Sequence, residues 1–176
     1  MSTILVNSGK SLDLTNILPT DICAFEIAHA LSNICRFTGH VDQFYSVAQH
    51  SVLVSKLVPK QFALHGLLHD ATEAYLGDVS APLKALLPQY KVIEAAVWES
   101  VVAHFKLDIT PQSNAAVADA DKLALHWEVV DLFSNYTSNP KAPPSMQRAL
   151  VKPIKPQSPS AAKRAFLLRF LELTHV

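Results

Sequence analysis

The chain has 176 residues, of which 49% are hydrophobic and 17% are charged. This balance excludes a disordered chain and favours one globular domain over residues 1–176. Lysine and arginine number 15 together, as do aspartate and glutamate, so no net charge attracts nucleic acid. No apolar run reaches the roughly 18 residues that a membrane span needs, and we expect a small-molecule partner.

The N-terminus lacks the basic flank and the apolar core of a secretory signal. Cys23 and Cys35 fall in one predicted helix, where twelve residues separate them by roughly 18 Å, which is beyond disulfide reach. We therefore expect buried free thiols, a reducing compartment and a cytoplasmic location. The high fraction of apolar residues is also compatible with a homo-oligomer.

In chain order, two short apolar-alternating runs around AsnSerGlyLys predict a β-hairpin over Ile4–Leu14. Apolar residues at helical spacing, bounded by caps, glycines and prolines, then predict six helices. Their expected limits are about 20–37, 44–57, 60–75, 88–105, 114–136 and 161–173. Residues 138–160 are rich in proline and predict an irregular loop. The predicted fold class is all-α, a helical bundle with a small N-terminal hairpin.

The most informative stretch is Ala63–Lys84, in which His69 and Asp70 are adjacent and Glu73 follows one turn later. Its leucines make the predicted helix apolar enough to be buried, and buried charged side chains need partners. Residues three and four apart lie on adjoining helix faces. One cation held among these side chains satisfies all of them.

Two other stretches carry matching residue types. ValAlaGlnHisSer places His50 in an apolar helix, and AlaAspAlaAspLysLeuAla places Asp119 and Asp121 at the start of another. The two aspartates point to nearly opposite faces, so only one can reach a shared metal. Metal sites in helical bundles are built from side chains on facing helices. Imidazoles and carboxylates without cysteine fit one divalent ion (Mn, Co, Mg, Fe, Ni or Zn) with open coordination positions.

This pattern, His50…His69-Asp70…Asp121 with HisAspAlaThrGluAla and GlyAspValSerAlaProLeuLys, resembles the HD-domain metal-dependent phosphohydrolases. ArgPheThrGlyHis at 36–40 and TyrSerValAlaGlnHisSer at 45–51 resemble, among these, the 5′-deoxynucleotidases of the YfbR/YfdR type. The resemblance covers about residues 20–135 and implies an HD-domain bundle. It also selects Asp121 over Asp119, and it implies four metal ligands: His50, His69, Asp70 and Asp121.

The resemblance further implies catalytic and substrate-binding roles. Glu73 and Asp78 would position or activate the attacking water, and we favour Asp78 as the base because a carboxylate after Gly77 can face an open site. Arg36 and Lys84 are expected to contact the substrate phosphate, and Phe37 is also expected at the substrate. His40 either lines the mouth of the pocket or serves only in a turn. Phe37 stands where YfbR-like members carry tryptophan, a departure that affects the base and sugar pocket.

The implied function is hydrolysis of 5′-deoxynucleoside monophosphates to deoxynucleoside and phosphate. A dNTP triphosphohydrolase that releases tripolyphosphate, for example a dATPase, is the first alternative, since it uses the same metal and water. A non-catalytic nucleotide-binding HD module is the second. The presence of every expected ligand and carboxylate favours an enzyme, and the absence of a basic stripe disfavours nucleic-acid binding.

Overall fold

The computed structural model describes residues 2–136 and 153–174. The predicted hairpin is confirmed: β1 (Thr3–Leu5) pairs antiparallel with β2 (Ser11–Asp13), and Ile4 lies opposite Leu12. Gly9 closes the turn with φ 84°, a left-handed conformation that glycine adopts without steric cost. Leu12 is buried and anchors the hairpin on the helical core.

The described residues are otherwise mostly helical, so the expected all-α class with a small hairpin is confirmed. The described part of the chain forms eight α-helices: α1 (Ala24–Asn33), α2 (Val47–Leu57), α3 (Ala63–Leu68), α4 (Glu73–Leu76), α5 (Ala81–Leu86), α6 (Pro88–Phe105), α7 (Pro111–Leu132) and α8 (Pro159–Thr174). No helix in the two described ranges combines the length and apolar character that crossing a membrane requires.

The first predicted helix is shorter than expected. It ends at Asn33 because the following residues pair with the segment before α2. Arg36 N donates to Tyr45 O at 2.9 Å, and Val47 N donates to Ile34 O at 3.1 Å. This pairing places Arg36 beside Tyr45. The expectation of buried thiols is wrong for Cys23, which is exposed ahead of α1, whereas Cys35 is partly buried.

The central helix predicted over 60–75 is interrupted after Leu68. Three bonds there follow the i→i−3 pattern of a 3₁₀ turn, from Ala71 N to Leu68 O, from Glu73 N to Asp70 O and from Ala74 N to Ala71 O (2.9, 3.0 and 3.2 Å). Residues three apart eclipse in such a turn. Asp70 and Glu73 therefore lie one above the other, and both line the same cavity.

The helix predicted over 114–136 begins earlier and ends earlier, at Pro111 and Leu132. Thr110 and Ser113 explain the start, because Ser113 N donates to Thr110 Oγ1 and Thr110 N donates to Ser113 Oγ (3.0 and 2.9 Å). This reciprocal capping satisfies two otherwise unpaired donors, and proline suits the first helical position.

Helix α2 occupies the centre of the fold and packs against α1, α3, α7 and α8. The larger hydrophobic cluster joins the hairpin to α1, α2, α3, α6 and α8, with Phe166 of α8 fully buried. A smaller cluster, which includes Val54 and Ala124, seals α2 and the start of α3 against α7. These two clusters fix the three helices that carry the predicted metal ligands.

Most of the predicted proline-rich loop, residues 138–152, lies outside the described residues. Residues 153–158 adopt neither helix nor strand, and α8 begins at Pro159. This segment is tied to α2 through Gln49, whose Nε2 donates to Lys155 O at 2.8 Å and whose Oε1 accepts from Gln157 N at 2.9 Å.

Candidate metal centre and cavity

Four predicted ligands converge where α2, the end of α3 and α7 meet. His50 Nε2 lies 3.3 Å from His69 Nε2 and 3.1 Å from Asp121 Oδ1. Asp70 Oδ2 lies 3.3 Å from His69 Nε2 and 3.6 Å from His50 Nε2. His50, His69 and Asp121 form a group that can hold a metal ion, with ligand atoms within 4.8 Å of one another.

These separations fit ligands arranged around one ion. Ligand atoms about 2.1 Å from a shared ion are roughly 3.0 Å apart at a right angle and roughly 3.4 Å apart at the tetrahedral angle. Three of the four distances in the cluster, 3.1, 3.3 and 3.3 Å, fall in that range, and the fourth, 3.6 Å, lies just above it. Only small side-chain movements are needed for the cluster to close on a cation.

The other nitrogen of each imidazole fixes its orientation. His69 Nδ1 lies 2.9 Å from Gly66 O, which can only accept, so Nδ1 carries the hydrogen. His50 Nδ1 lies 2.6 Å from the Glu128 carboxylate and donates to it. Both Nε2 atoms therefore face the cluster, as metal-binding histidines do when their second nitrogen binds a carbonyl or carboxylate.

The surroundings also favour positive charge at the cluster. Burial and Arg36 lower the pKa of His50, but Glu128 and Asp121 outweigh them and raise that pKa to about 9. Burial is likewise the main influence on His69, and it lowers the pKa of that side chain. His69 thus offers a lone pair, and a divalent ion would replace the proton on His50 Nε2, because a metal-binding histidine must be neutral.

No protein-family model matches the chain. The uncharacterized protein YfdR of Escherichia coli strain K12 is 41% identical over 176 residues, which are 100% of this chain and 98% of that protein. The chain belongs to the YfdR family. An uncharacterized protein of Rhodobacter capsulatus is 31% identical over 179 residues, covering 92% of this chain and 90% of that protein.

Beside the cluster of this YfdR family member lies a cavity of about 380 Å³. Asp70 and Asp121 form its metal-cluster side. The remaining lining includes five of the other predicted site residues together with apolar and small side chains: Arg36, Phe37, Thr38, Glu73, Asp78, Val79, Ser80, Ala81, Pro82, Lys84 and Leu125. The volume lies within the range of small-molecule sites.

One wall of the cavity is a left-handed turn. Phe37, Thr38 and Gly39 have φ of 56°, 54° and 81°, and this conformation is unfavourable for the first two residues. Backbone strain of this kind is found mainly at functional sites. The turn directs Phe37 against Phe133, with the rings edge-to-face and 5.1 Å apart.

Two cavity carboxylates differ in environment. Burial, and then the charges of Asp70 and Asp78, raise the pKa of Glu73 to about 9. Glu73 is therefore protonated near neutral pH, and its buried Oε2 has no hydrogen-bond partner within the structure. Burial also raises the pKa of Asp78, which is only half-buried. Asp78 is thus the better placed of the two to accept a proton from water.

Lys84 faces the same cavity from α5. Its Nζ lies 2.6 Å from Glu94 Oε1 and 3.5 Å from Glu73 Oε1. Burial lowers the pKa of Lys84, but the hydrogen bond to the Glu94 carboxylate outweighs that effect, so the pKa is raised and the ammonium stays charged. The structure thereby presents a fixed point charge near Glu73.

Two other residues considered from the sequence lie away from the cluster. His40 is exposed, does not line the cavity, and donates its backbone N–H to Phe37 O at 3.0 Å. The Asp119 side chain is 81% exposed and pairs with Lys122, whereas Asp121 reaches His50. The choice of Asp121 over Asp119 therefore agrees with the direction of each side chain.

Glu128 is a residue that sequence reasoning missed. It is fully buried on α7, two turns after Asp121, and it contacts His50, Arg36 and Tyr45. Its signal was available in the sequence: an acid flanked by the apolar residues Trp127 and Val129, seven positions after a candidate ligand, shares that ligand's helix face.

Proposed function

We propose that this protein is a metal-dependent HD-type phosphohydrolase that converts 5′-deoxynucleoside monophosphates to deoxynucleoside and phosphate. The observation that carries the proposal is one cavity beside the His-His-Asp group, lined by Asp121 of that group and by two cations, Arg36 and Lys84. Phosphomonoester hydrolysis needs that combination: electrophilic stabilisation of phosphoryl oxygens, a positioned water and a base. When bound, the divalent ion would polarise the phosphoryl group.

Each cavity residue has a defined task in this proposal. Arg36 grips the phosphate with its planar guanidinium, and Lys84 adds a point charge. Water attacks phosphorus as the bond to the 5′ oxygen breaks. Asp78 takes the proton that the water loses, and that proton then passes to the leaving 5′ oxygen to give the deoxynucleoside hydroxyl. Glu73, protonated, holds a water or a phosphate oxygen as a hydrogen-bond donor.

The nucleotide part of the proposal is supported by the strained turn. Phe37 lines the cavity next to Arg36, whose Cζ lies 5.5 Å from the ring centroid. A nucleobase can stack on such an aromatic side chain while its phosphate reaches the guanidinium. The preference for deoxyribose and monophosphate comes from the family resemblance.

The decisive experiment uses metal-stripped protein, supplied with Mn²⁺, Co²⁺ or Mg²⁺ and incubated with dNMPs, NMPs and dNTPs, with products separated by chromatography. Deoxynucleoside plus phosphate from dNMPs supports the proposal. Tripolyphosphate from dNTPs, with dNMPs untouched, would replace it with the triphosphohydrolase alternative. Nucleotide binding without turnover under any metal would favour the non-catalytic module.

Two variants separate metal binding from chemistry. Asp121→Asn should lose metal and turnover, whereas Asp119→Asn, an exposed neighbour on the same helix, should lose neither. Asp78→Ala should lose turnover while retaining metal. Loss of metal from the Asp78 variant would contradict its assignment as the base.

A further inference from the structure

One buried carboxylate, that of Glu128, contacts both a predicted metal ligand and the predicted phosphate-binding arginine. Glu128 Oε1 accepts from His50 Nδ1 at 2.6 Å and from the Tyr45 hydroxyl at 2.9 Å. Glu128 Oε2 accepts from Arg36 Nε at 3.2 Å. Both Glu128 and Tyr45 are fully buried, so water does not compete for these bonds.

We propose that Glu128 is a positioning residue that orients a metal-binding histidine and a phosphate-binding arginine at the same time. The inference rests on the proposed function, because the metal and the phosphate are what the two positioned side chains would bind. Glu128 itself contacts neither. It acts through His50, whose Nε2 faces the cluster, and through Arg36, whose Nη1 lies 3.6 Å from Asp70 Oδ2.

The donor and acceptor inventory explains why this position requires a carboxylate. An ionised carboxylate only accepts, and it receives three donors here: an imidazole N–H, a phenol O–H and a guanidinium N–H. The first bond fixes the His50 tautomer with its hydrogen on Nδ1, which leaves the Nε2 lone pair for a cation. The third holds Arg36 by one edge and leaves the rest of the guanidinium for the cavity.

Glutamine at this position would keep the size of the side chain but not its chemistry. Its amide has one acceptor oxygen and an NH₂ group that only donates. Whichever way the amide turns, the NH₂ group faces either His50 Nδ1–H or Arg36 Nε–H. One of the two positioned side chains must then move or change its protonation.

The test measures metal binding by metal-stripped full-length protein, followed by Co²⁺ absorbance. Glu128→Gln should bind Co²⁺ about 10- to 100-fold more weakly, the usual effect of losing a carboxylate behind a ligating histidine. Tyr45→Phe is the matched control, because it removes one donor to the same Oε1 and leaves the bonds to His50 and Arg36. Its Co²⁺ affinity should stay within about threefold of wild type.

The arginine half is tested separately with inorganic phosphate as the probe on Co²⁺-saturated protein. Glu128→Gln should weaken phosphate binding as Arg36→Lys does, while Tyr45→Phe should not. Wild-type Co²⁺ and phosphate affinities in a folded Glu128→Gln variant would overturn the assignment. If that variant does not fold, imidazole ¹⁵N spectra of Zn²⁺-loaded wild-type protein provide the test. A His50 hydrogen on Nε2 rather than on Nδ1 would overturn the assignment.

The two proposals fail in different ways. Wild-type protein that binds Co²⁺ more tightly than Glu128→Gln, yet hydrolyses no nucleotide, would refute the proposed function and support the positioning role. Wild-type protein that hydrolyses dNMPs, with Glu128→Gln binding both Co²⁺ and phosphate as tightly as wild type, would support the proposed function and refute the positioning role. Wild-type protein that binds no Co²⁺ would overturn both.

Discussion

Replacing Gly66 with alanine tests how closely the two histidine-bearing helices are packed. Gly66 lies in α3, three residues before His69, and faces α2, which carries His50. A Cβ at this position would lie 3.1 Å from Val58 Cγ2 and 3.3 Å from Ser55 Cα. The second contact is with backbone of a helix packed on several sides, so α2 cannot yield easily.

Two opposing terms give the magnitude. Alanine is favoured over glycine within a helix by about 1 kcal/mol. Overpacking a well-filled interface costs about 1–3 kcal/mol, and with one of the close contacts to backbone we take the middle of that range. Gly66→Ala should therefore lower the free energy of unfolding by about 1 kcal/mol, which corresponds to a fall in Tm of about 2–4 °C for a chain of this size.

The assay is urea unfolding in EDTA, followed by fluorescence of Trp98 and Trp127, so that metal binding does not enter the measured stability. Val58→Ala removes the two methyl groups that the new Cβ would meet, at 3.1 and 3.4 Å. In the Gly66→Ala/Val58→Ala double variant, the total loss of unfolding free energy should therefore be about 0.5–1 kcal/mol smaller than the sum of the two single-variant losses. A Gly66→Ala protein as stable as wild type, with an unchanged m-value, would refute the argument from close approach.

Three further predictions concern the cavity. Thr38→Asn should raise the free energy of unfolding by about 0.5–1 kcal/mol in urea titrations, because asparagine tolerates φ 54° better than a β-branched residue; no gain would mean that the turn stores little strain. Lys84→Met should raise KM for the monophosphate about tenfold, because one charge-assisted bond to the phosphate is lost. Lys91 is exposed, and Lys91→Met should leave KM unchanged. Adding Mn²⁺ to EDTA-treated protein at about 100 times Kd should stabilise it by about 2.7 kcal/mol, read as a thermal shift of about 5–10 °C, and Asp121→Asn should abolish that shift.

Local signals in the sequence predicted most of the fold. The alternating runs around Gly9 predicted the hairpin, and proline and apolar spacing predicted α2, α6 and α8 to within a few residues. The helix limits that were predicted wrongly lie where contacts between residues distant in sequence determine the backbone conformation. The pairing of residues 34–36 with 45–47 ends α1 early, and neither segment announces that pairing alone. The 3₁₀ turn after Leu68 is likewise invisible to helix propensity, because every residue in it can continue an α-helix.

The candidate site divides in the same way. His69 and Asp70 are adjacent, so their shared location follows from the sequence itself. Asp121 was separated from Asp119 only by the order of residues in a family pattern. Glu128 shares the helix face of Asp121, but an acid late in a helix usually faces solvent, and the packing of α7 on α2 shows that this one is buried.

The balance of charge around the cavity gives a physical order to the proposed binding events. Even without Glu73 and Glu94, four carboxylates (Asp70, Asp78, Asp121 and Glu128) outnumber by one the proposed phosphate-binding cations, Arg36 and Lys84, together with the protonated His50. Both cations are also already paired, Arg36 with Glu128 and Lys84 with Glu94. A phosphate entering this metal-free cavity would meet net negative charge with its cationic partners engaged. One divalent ion that replaces the His50 proton would neutralise the remaining negative charge. Under the proposed function, phosphate affinity must therefore depend on prior metal binding, even though Arg36 and Lys84 are in place without it.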